Sequence, residues 1–556
     1  MEKKDAIFDR VLDSIGSDGK FQHRFNYLYN VFFAVVAAMP CMNIILAMSV
    51  PDHWCHVPGR ENTNYTLEEW KRLTLPVSVD TRGLETLSSC EMYNASDWTD
   101  SSEVQNSPIT ECQHGYEYDK TWFDLTVTSQ EDWVCDKELR VTNTFVIARI
   151  GEMIGAFVFG QLGDTLGRRP VFYMSLVLII TGKIINLFLT RWYSWYSFGA
   201  LIGALTQMPL FQTVMVIGME ISKSEDNSHI AMLQNVGWTV GICLMPLVMW
   251  WLRNWFYFVI ATSLPFAMFL ISNKYMIESP RWLASRGKMV QCEKMLRRIA
   301  KVNGTTLNDD ALEMLKIHSS NPEKIYGVMS LFSSWRLARN TIMIVTCWIV
   351  GGLSYFLLIL NVNNMDGNPF LNYLYQGLVE MPAYIFGKWA TNNIGRRWTA
   401  VMAFSVAFIV SLPLLHTTLD PELHIYTSVL TVLIKFCIST SFYVMMVQGV
   451  EIYPTCLRQT GIALGVLSGN ALGVVGPYVV YLGTAYDARY PYLILSLLML
   501  IGLTAQLLSP ETLHQKLPET LADAQVFGSD QKFWALPKKN NHDILLQDEK
   551  MKISYP

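Results

Sequence analysis

Long apolar stretches alternate with polar ones along this chain, and a helix that spans a bilayer needs about 20 mainly apolar residues. Runs of that kind lie near 25–50, 142–163, 170–190, 196–219, 229–251 and 255–276. A second set lies near 341–361, 370–391, 399–416, 424–449, 460–483 and 488–508. Six helices, a polar interval and six more predict an all-α integral membrane protein. The polar segments are 1–24, a loop at 51–141, a second loop at 277–340 and a tail at 509–556.

Charge along the chain adds orientation. Residues 51–140 hold 18 acidic and 7 basic side chains, whereas 277–340 hold 11 basic and 6 acidic. Loops rich in Lys and Arg stay in the cytoplasm, so the first loop is expected outside the cell and the middle loop inside. Arg168, Arg169, Arg396, Arg397 and the tail lysines Lys538, Lys539, Lys550 and Lys552 then fall on the inner side, with both termini cytoplasmic. The first 23 residues are polar, and the run 27–50 lacks a small-residue cleavage site, so it is expected to remain as an anchor. In the middle loop Met295, Leu296 and Ile299 recur at helical spacing beside Lys294, Arg297, Arg298 and Lys301. They predict an amphipathic helix over 291–302, either under the bundle or simply solvated.

Composition agrees, since 16% charged residues falls below the roughly 25% of soluble domains. The net charge of −4 says little about partners beyond the lipid bilayer, and nothing points to nucleic acid. Cys55, Cys90, Cys112 and Cys135 share the first loop without a CxxC pair. They fit two disulfides, in any of three pairings, on an oxidising side of the membrane. Asn64-Tyr65-Thr66 and Asn94-Ala95-Ser96 in the same loop match the N-glycosylation pattern. The loop's formal charge of −11 can concentrate cations near an entrance, or the loop can serve as a folded cap.

The two sets of helices carry matching marks. Gly160-Gln161-Leu162-Gly163-Asp164-Thr165-Leu166-Gly167-Arg168-Arg169 links the second and third helices, and Asn392-Asn393-Ile394-Gly395-Arg396-Arg397 links the eighth and ninth, 228 residues on. Glu220-Ile221 and Glu451-Ile452 are 231 apart, and Ser279-Pro280 and Ser509-Pro510 are 230 apart. Each match alone is only a basic turn or a helix stop. Their common offset implies two like halves, the arrangement in which a substrate site sits between rocking bundles. Asp164 can then accept hydrogen bonds across the interface of the halves while Arg168 or Arg169 seeks a carboxylate or headgroup. With Asn392 in the place of Asp164, the first copy is expected to be the stronger latch.

These blocks resemble the major facilitator superfamily, and more narrowly solute carrier family 22, the organic cation, carnitine and organic anion transporters. The likeness runs from about residue 15 to 525 and includes the long cysteine-bearing first loop. It also rests on Glu278-Ser279-Pro280-Arg281-Trp282-Leu283, Leu378-Val379-Glu380-Met381-Pro382-Ala383, and Glu451-Ile452-Tyr453-Pro454-Thr455 with Arg458. Gly476-Pro477-Tyr478-Val479-Val480-Tyr481-Leu482-Gly483 and Pro491-Tyr492 resemble the organic cation and carnitine branch. The resemblance implies a major facilitator fold of two pseudo-symmetric six-helix halves, and a carrier of small cations or zwitterionic amines in the plasma membrane. One departure is Asn470, aligned where the family usually has Asp or Arg. A neutral amide hydrogen-bonds ammonium or carboxylate alike. An organic anion carrier of the same family, and a membrane receptor or scaffold that keeps the fold, are the alternatives.

An ionisable group at the centre of a spanning helix costs about 2.5 to 3.5 kcal/mol, so each is a candidate for function. Glu380 in the eighth helix and Lys435 in the tenth are such groups, and Lys435 can either neutralise Glu380 or serve an anion. Arg149 and Glu152, three apart, read as a self-paired couple. Trp238, Trp348, Tyr355, Phe442 and Tyr443 lie at a depth where an aromatic face can hold an ammonium. The resemblance places Glu380, Tyr355, Phe442 and Tyr443 at cavity positions. No nucleophile, base and orienter group in a recognisable motif, and there is no P-loop, so neither enzyme, metal nor cofactor is expected. A zwitterion gains nothing from the membrane potential and would need its own gradient or sodium.

Overall fold

The computed structural model describes residues 8, 10–16, 18–79, 81–94, 104, 107–222, 227–307, 312–313, 328–365, 367–454, 457–513, 515, 518, 521–528 and 531. Hydrocarbon offers no partner for backbone N–H and C=O groups, and a helix satisfies them internally. The apolar runs accordingly fold as helices. The first half consists of α1 (Lys20–Ala47), α2 (Leu139–Leu166), α3 (Arg168–Phe188), α4 (Tyr193–Glu220), α5 (Asn227–Leu252) and α6 (Trp255–Ala267). The second half begins with α7 (Trp335–Leu360) and α8 (Pro369–Leu378 continued by Glu380–Asn393), followed by α9 (Arg396–Thr417) and α10 (His424–Ile452). It ends with α11 (Arg458–Gly473 continued by Gly476–Ala485) and α12 (Tyr490–Leu508). Among the described residues, 10 of these are long and apolar enough to be recognised as spans by length and composition alone. The other two are α6, which is short, and α8, whose apolar character is diluted by the buried polar residues Asn372, Gln376 and Glu380.

Several helices outrun the hydrophobic stretches that announce them. α1 starts at Lys20, within the segment read as an N-terminal tail, and α2 runs to Leu166, which carries Asp164 into its last turn. Helical hydrogen bonding continues past the hydrocarbon boundary because polar side chains are tolerated there. The helix expected over 291–302 forms as Met289–Asn303. Its Cys292, Leu296 and Ile299 are buried in one cluster with Phe8, Val11, Leu12 and Ile15 of the N-terminal segment. Asn303 ties the two together by donating to the carbonyls of Ile15 and Gly16, both at 2.9 Å. The helix therefore lies under the first half and is not simply solvated.

The first loop folds as a small disulfide-bonded unit on one face of the molecule. Its strands are β1 (His53–Cys55), β2 (Val77–Val79), β3 (Glu85–Leu87), β4 (Glu91–Tyr93), β5 (Ile109–Glu111) and β6 (Tyr116–Tyr118). They pair antiparallel as β1 with β6, β2 with β3 and β4 with β5. Three-residue strands cannot supply a core, and the unit is held by Trp70, Leu73, Leu75 and Met92. Of the three possible cysteine pairings, the structure forms Cys55–Cys112 and Cys90–Cys135. Asn64 and Asn94 are both exposed.

On the opposite, basic face the two repeats are built alike. Gly167 has φ 111 and ψ 164, and Gly395 has φ 107 and ψ 158, a region open almost only to glycine. Each starts a helix whose first N–H groups lack intrahelical partners and carry the positive end of the dipole. Glu278 accepts from the backbone of Arg168 at 2.8 Å and Arg169 at 3.2 Å. Glu511 does the same for Arg396 at 2.9 Å and Arg397 at 3.1 Å. The two carboxylates lie on opposite sides of their Ser-Pro pairs in sequence, yet occupy the same structural role. A Cβ on Gly167 would fall 2.4 Å from the Glu278 carboxylate.

The arginines of both repeats pair within their own half. Arg168 lies 3.7 Å from Glu220, while Arg396 reaches both oxygens of Glu451 at 2.8 and 3.1 Å. The tighter of these two ion pairs belongs to the second copy, because its guanidinium meets the carboxylate fork to fork. The Asp164 side chain lies outside what is described. Arg458 heads α11 half-buried, with no ion pair among the described residues.

Packing between the halves differs at the two faces. Toward the loop face, one cluster joins Met42, Ile45 and Leu46 of α1 and Met245 of α5 to Phe356 and Leu360 of α7 and Phe370 of α8. Toward the basic face the clusters separate, one built from first-half residues and one from second-half residues. We expect Gly167→Ala and Gly395→Ala each to cost about 1–3 kcal/mol through backbone strain. Thermal unfolding of the purified chain would show lower midpoints for both, with Gly160→Ala in the open end of α2 as the unstrained control.

Candidate functional site: a charged seam between the halves

α8 carries Glu380 at the start of its second segment, where the short polar turn of sequence points Asn372, Gln376 and Glu380 inward, four residues apart on one face. The Lys435 ammonium of α10 stands 3.0 Å from its carboxylate, and both side chains are 1% exposed. A lone charge is costly at this depth, and as a pair each neutralises the other. The same ammonium sits 3.2 Å above the centroid of the Tyr355 ring of α7. Lys435 therefore binds α7, α8 and α10 into one charged corner. The Tyr373 and Tyr384 hydroxyls lie near enough to feel the Glu380 charge.

Across the seam the first half repeats the motif with other residues. Glu152 lies 228 residues before Glu380, the offset of the repeats, and pairs with Arg149 one turn earlier in α2. The Arg149 guanidinium stacks 3.3 Å from the centroid of Phe356, the residue after Tyr355. Two neighbouring rings on α7 thus each cover the cation of one half. The fourth and tenth helices are offset by 231 residues, which puts Ala204 in the place of Lys435; Gln207, one turn on, donates to the Cys41 carbonyl at 3.3 Å. Without a cation there, Glu152 takes its partner from its own helix.

The aromatic candidates divide. Tyr355 and Phe442 lie together with ring centroids 6.3 Å apart, and Phe442 meets Trp348 edge to face at 5.5 Å. Trp348 is pressed between α10 and α11, where a Cβ on Gly465 would come within 2.6 Å of its indole. Trp238 of α5 stacks edge to face on Phe211 and reaches the Tyr355 side chain from the first half. Tyr443 turns away from the charged corner and packs on Gly387 of α8, near Arg396 and Glu451. Asn470 is half-buried on α11, and its amide nitrogen has no partner among the described residues. Sequence reasoning missed Tyr373, Tyr384 and the equivalence of Glu152 with Glu380. The 228-residue offset, applied to charged residues as well as to turns, identifies the last.

Toward the loop face the two halves touch. Trp250 of α5 stacks on Phe370 of α8 with 16° between ring planes, and Tyr478 of α11 donates to Asn143 of α2 at 2.9 Å. Toward the basic face, nothing among the described residues stands within 4 Å of where a Cβ on Gly160 or Gly163 of α2 would lie, whereas Gly151 and Gly155 are pressed on the α4 backbone.

Two six-helix halves meeting over buried, paired charges define a membrane transporter of the major facilitator fold. The inward-open xylose transporter of E. coli aligns with a TM-score of 0.56 at 18% identity, covering 74% of this chain and 93% of that one. The sequence profile of the sugar (and other) transporter family matches residues 90–523, and the chain belongs to that family. Its curated relatives include the β-alanine transporter of Drosophila melanogaster, 28% identical over 93% of this chain and 89% of that protein. Solute carrier family 22 member 4 of Mus musculus is 28% identical over 93% and 94%, and organic cation/carnitine transporter 2 of Homo sapiens is 25% identical over 92% and 93%. The resemblance to solute carrier family 22 thus extends over most of the chain.

Removing one member of a buried pair leaves the other uncompensated, at a cost of about 3–5 kcal/mol. We expect Glu380→Gln alone to lower surface abundance, and Glu380→Gln with Lys435→Gln to regain it. Surface biotinylation of the single and double variants measures this.

Proposed function

We propose that this chain carries small organic cations or zwitterionic amines across the plasma membrane by alternating access, with the disulfide-bonded loop outside and both termini in the cytoplasm. The observation that carries this reading is the Glu380–Lys435 pair, buried under the Tyr355 ring at the seam of the halves. A substrate ammonium competes with Lys435 for Glu380, and aromatic faces hold it as water leaves, for about 0.5 to 2 kcal/mol. The names of relatives that move β-alanine, and organic cations with carnitine, support the same substrate class.

The open basic end of α2 supports alternating access. Rocking the halves would close it and part the contacts of Trp250 with Phe370 and of Tyr478 with Asn143. Gly160 and Gly163 then permit close approach, since without a Cβ two backbones can pack tightly. A monovalent cation crossing about 60 mV gains roughly 1.4 kcal/mol, enough for about tenfold accumulation. A zwitterion needs its own gradient or sodium.

Uptake of labelled choline, carnitine, β-alanine and an organic anion, with and without sodium and under depolarisation, tests the substrate class. Depolarisation is expected to slow cation uptake, and exclusive uptake of the anion would overturn the reading. The double variant at Glu380 and Lys435 is expected to reach the surface and lose most amine uptake; undiminished uptake would make the pair purely structural. Gly160→Trp is expected to reach the surface normally yet transport little, because the indole blocks closure.

A further inference from the structure

Lys183 of α3 is a charged group that the pairs above leave unexplained. It is 7% exposed and lines a pocket inside the first half with Arg149, Glu152, Asn186 and Gln207. Leu360 of α7 forms part of the same lining, so the pocket reaches the seam. The ammonium donates to the Asn43 side-chain oxygen at 2.6 Å, and the Asn43 amide donates to the Thr262 hydroxyl at 2.9 Å. Thr262 in turn donates to the Phe258 carbonyl at 2.8 Å. This chain fixes Asn43 with its oxygen toward Lys183 and holds the ammonium in place, but it supplies no counter-charge. Arg149 and Glu152 cancel, and no carboxylate lies within ion-pair distance of Lys183 among the described residues. The oxygen of Asn186, one turn along α3, is buried and likewise has no partner among them; its amide can present either a donor or an acceptor.

A buried cation at membrane depth with two ammonium donors to spare is a site for an anion, because the charge-assisted bond and the neutralisation are gained together. We infer that Lys183, with Arg149 beside it, is the carboxylate subsite of the carrier, and that the preferred substrates are zwitterions bearing both an amine and a carboxylate. This rests on the proposed function. The second half, with Glu380 and its aromatic rings, takes the cationic end, and the first half takes the anionic end. A substrate with both charges therefore engages both halves, whereas a simple amine engages one.

The test uses the purified full-length chain in detergent and chloride-free buffer, with binding read from ligand-dependent thermal stabilisation. The probes are matched pairs: β-alanine against ethylamine, and γ-butyrobetaine against propyltrimethylammonium. The wild type is expected to prefer the carboxylate-bearing member of each pair. Lys183→Gln should shrink that preference by about tenfold or more, the size of one charge-assisted bond. Lys183→Arg, which keeps the charge, should retain most of it and controls for misfolding. Equal affinity for both members in the wild type, or an unchanged ratio in Lys183→Gln, overturns the subsite while amine binding, if present, still stands. Stabilisation by propionate as strong as by β-alanine would keep the subsite and overturn the amine reading. Stabilisation by added chloride, abolished in Lys183→Gln without any carboxylate preference, would make this an inorganic anion site and overturn the substrate assignment. No stabilisation by any probe overturns both readings.

Discussion

Charge in hydrocarbon is costly unless it is neutralised where it stands, and the centre of this protein is organised around that cost. Glu380 is held by Lys435 from another helix, Glu152 by Arg149 from its own, and each cation is covered by an aromatic face of α7. Under the proposed function, a substrate that brings its own charge replaces one partner of such a pair without leaving the other bare, so the cost of stranding an ion favours ligands of complementary charge.

α7 is the shared wall. Tyr355 and Phe356 are adjacent in sequence and point about 100° apart around a helix, so one faces the second-half pair and the other the first-half pair. Contacts made by α7 thus connect the two sites through covalently neighbouring residues. Toward the loop face the same helix joins the cluster common to both halves, while toward the basic face each half keeps its own core. The separate cores leave little apolar contact between the halves at the basic face, whereas the proposed rocking would have to part the joint core toward the loop face.

Duplication shows through in geometry more fully than in residue identity. Glu278 and Glu511 stand on opposite sides of their Ser-Pro pairs, yet each caps the helix that follows a positive-φ glycine. Lys435 has the uncharged Ala204 as its counterpart, and the first half pairs Glu152 within its own helix. The asymmetry between the halves is therefore electrostatic, laid on a common backbone.

Much of the architecture was legible from the chain. Apolar runs announce spanning helices because length and hydropathy are local properties, and the three matching offsets announce the two halves. The run at 370–391 could be read as α8 although Asn372, Gln376 and Glu380 weaken its apolar signal. Glu380 and Lys435 could be named from sequence as costly intramembrane charges. Their pairing at 3.0 Å under Tyr355 could not, because it depends on how α7, α8 and α10 cross. The same holds for Tyr443, which turns toward Gly387, and for the cysteines, whose pairing needs Cα atoms brought together across the loop. Lys183 escaped notice in a run of apolar residues, and its meaning lies in what surrounds it. Sequence alone determined that the chain spans the membrane in two like halves, and it named Glu380, Lys435, Arg149 and Glu152 as charges at membrane depth. Only the tertiary structure decided which of them neutralise one another and which one is left waiting for a charge, since partnership is a matter of distance between helices far apart in sequence.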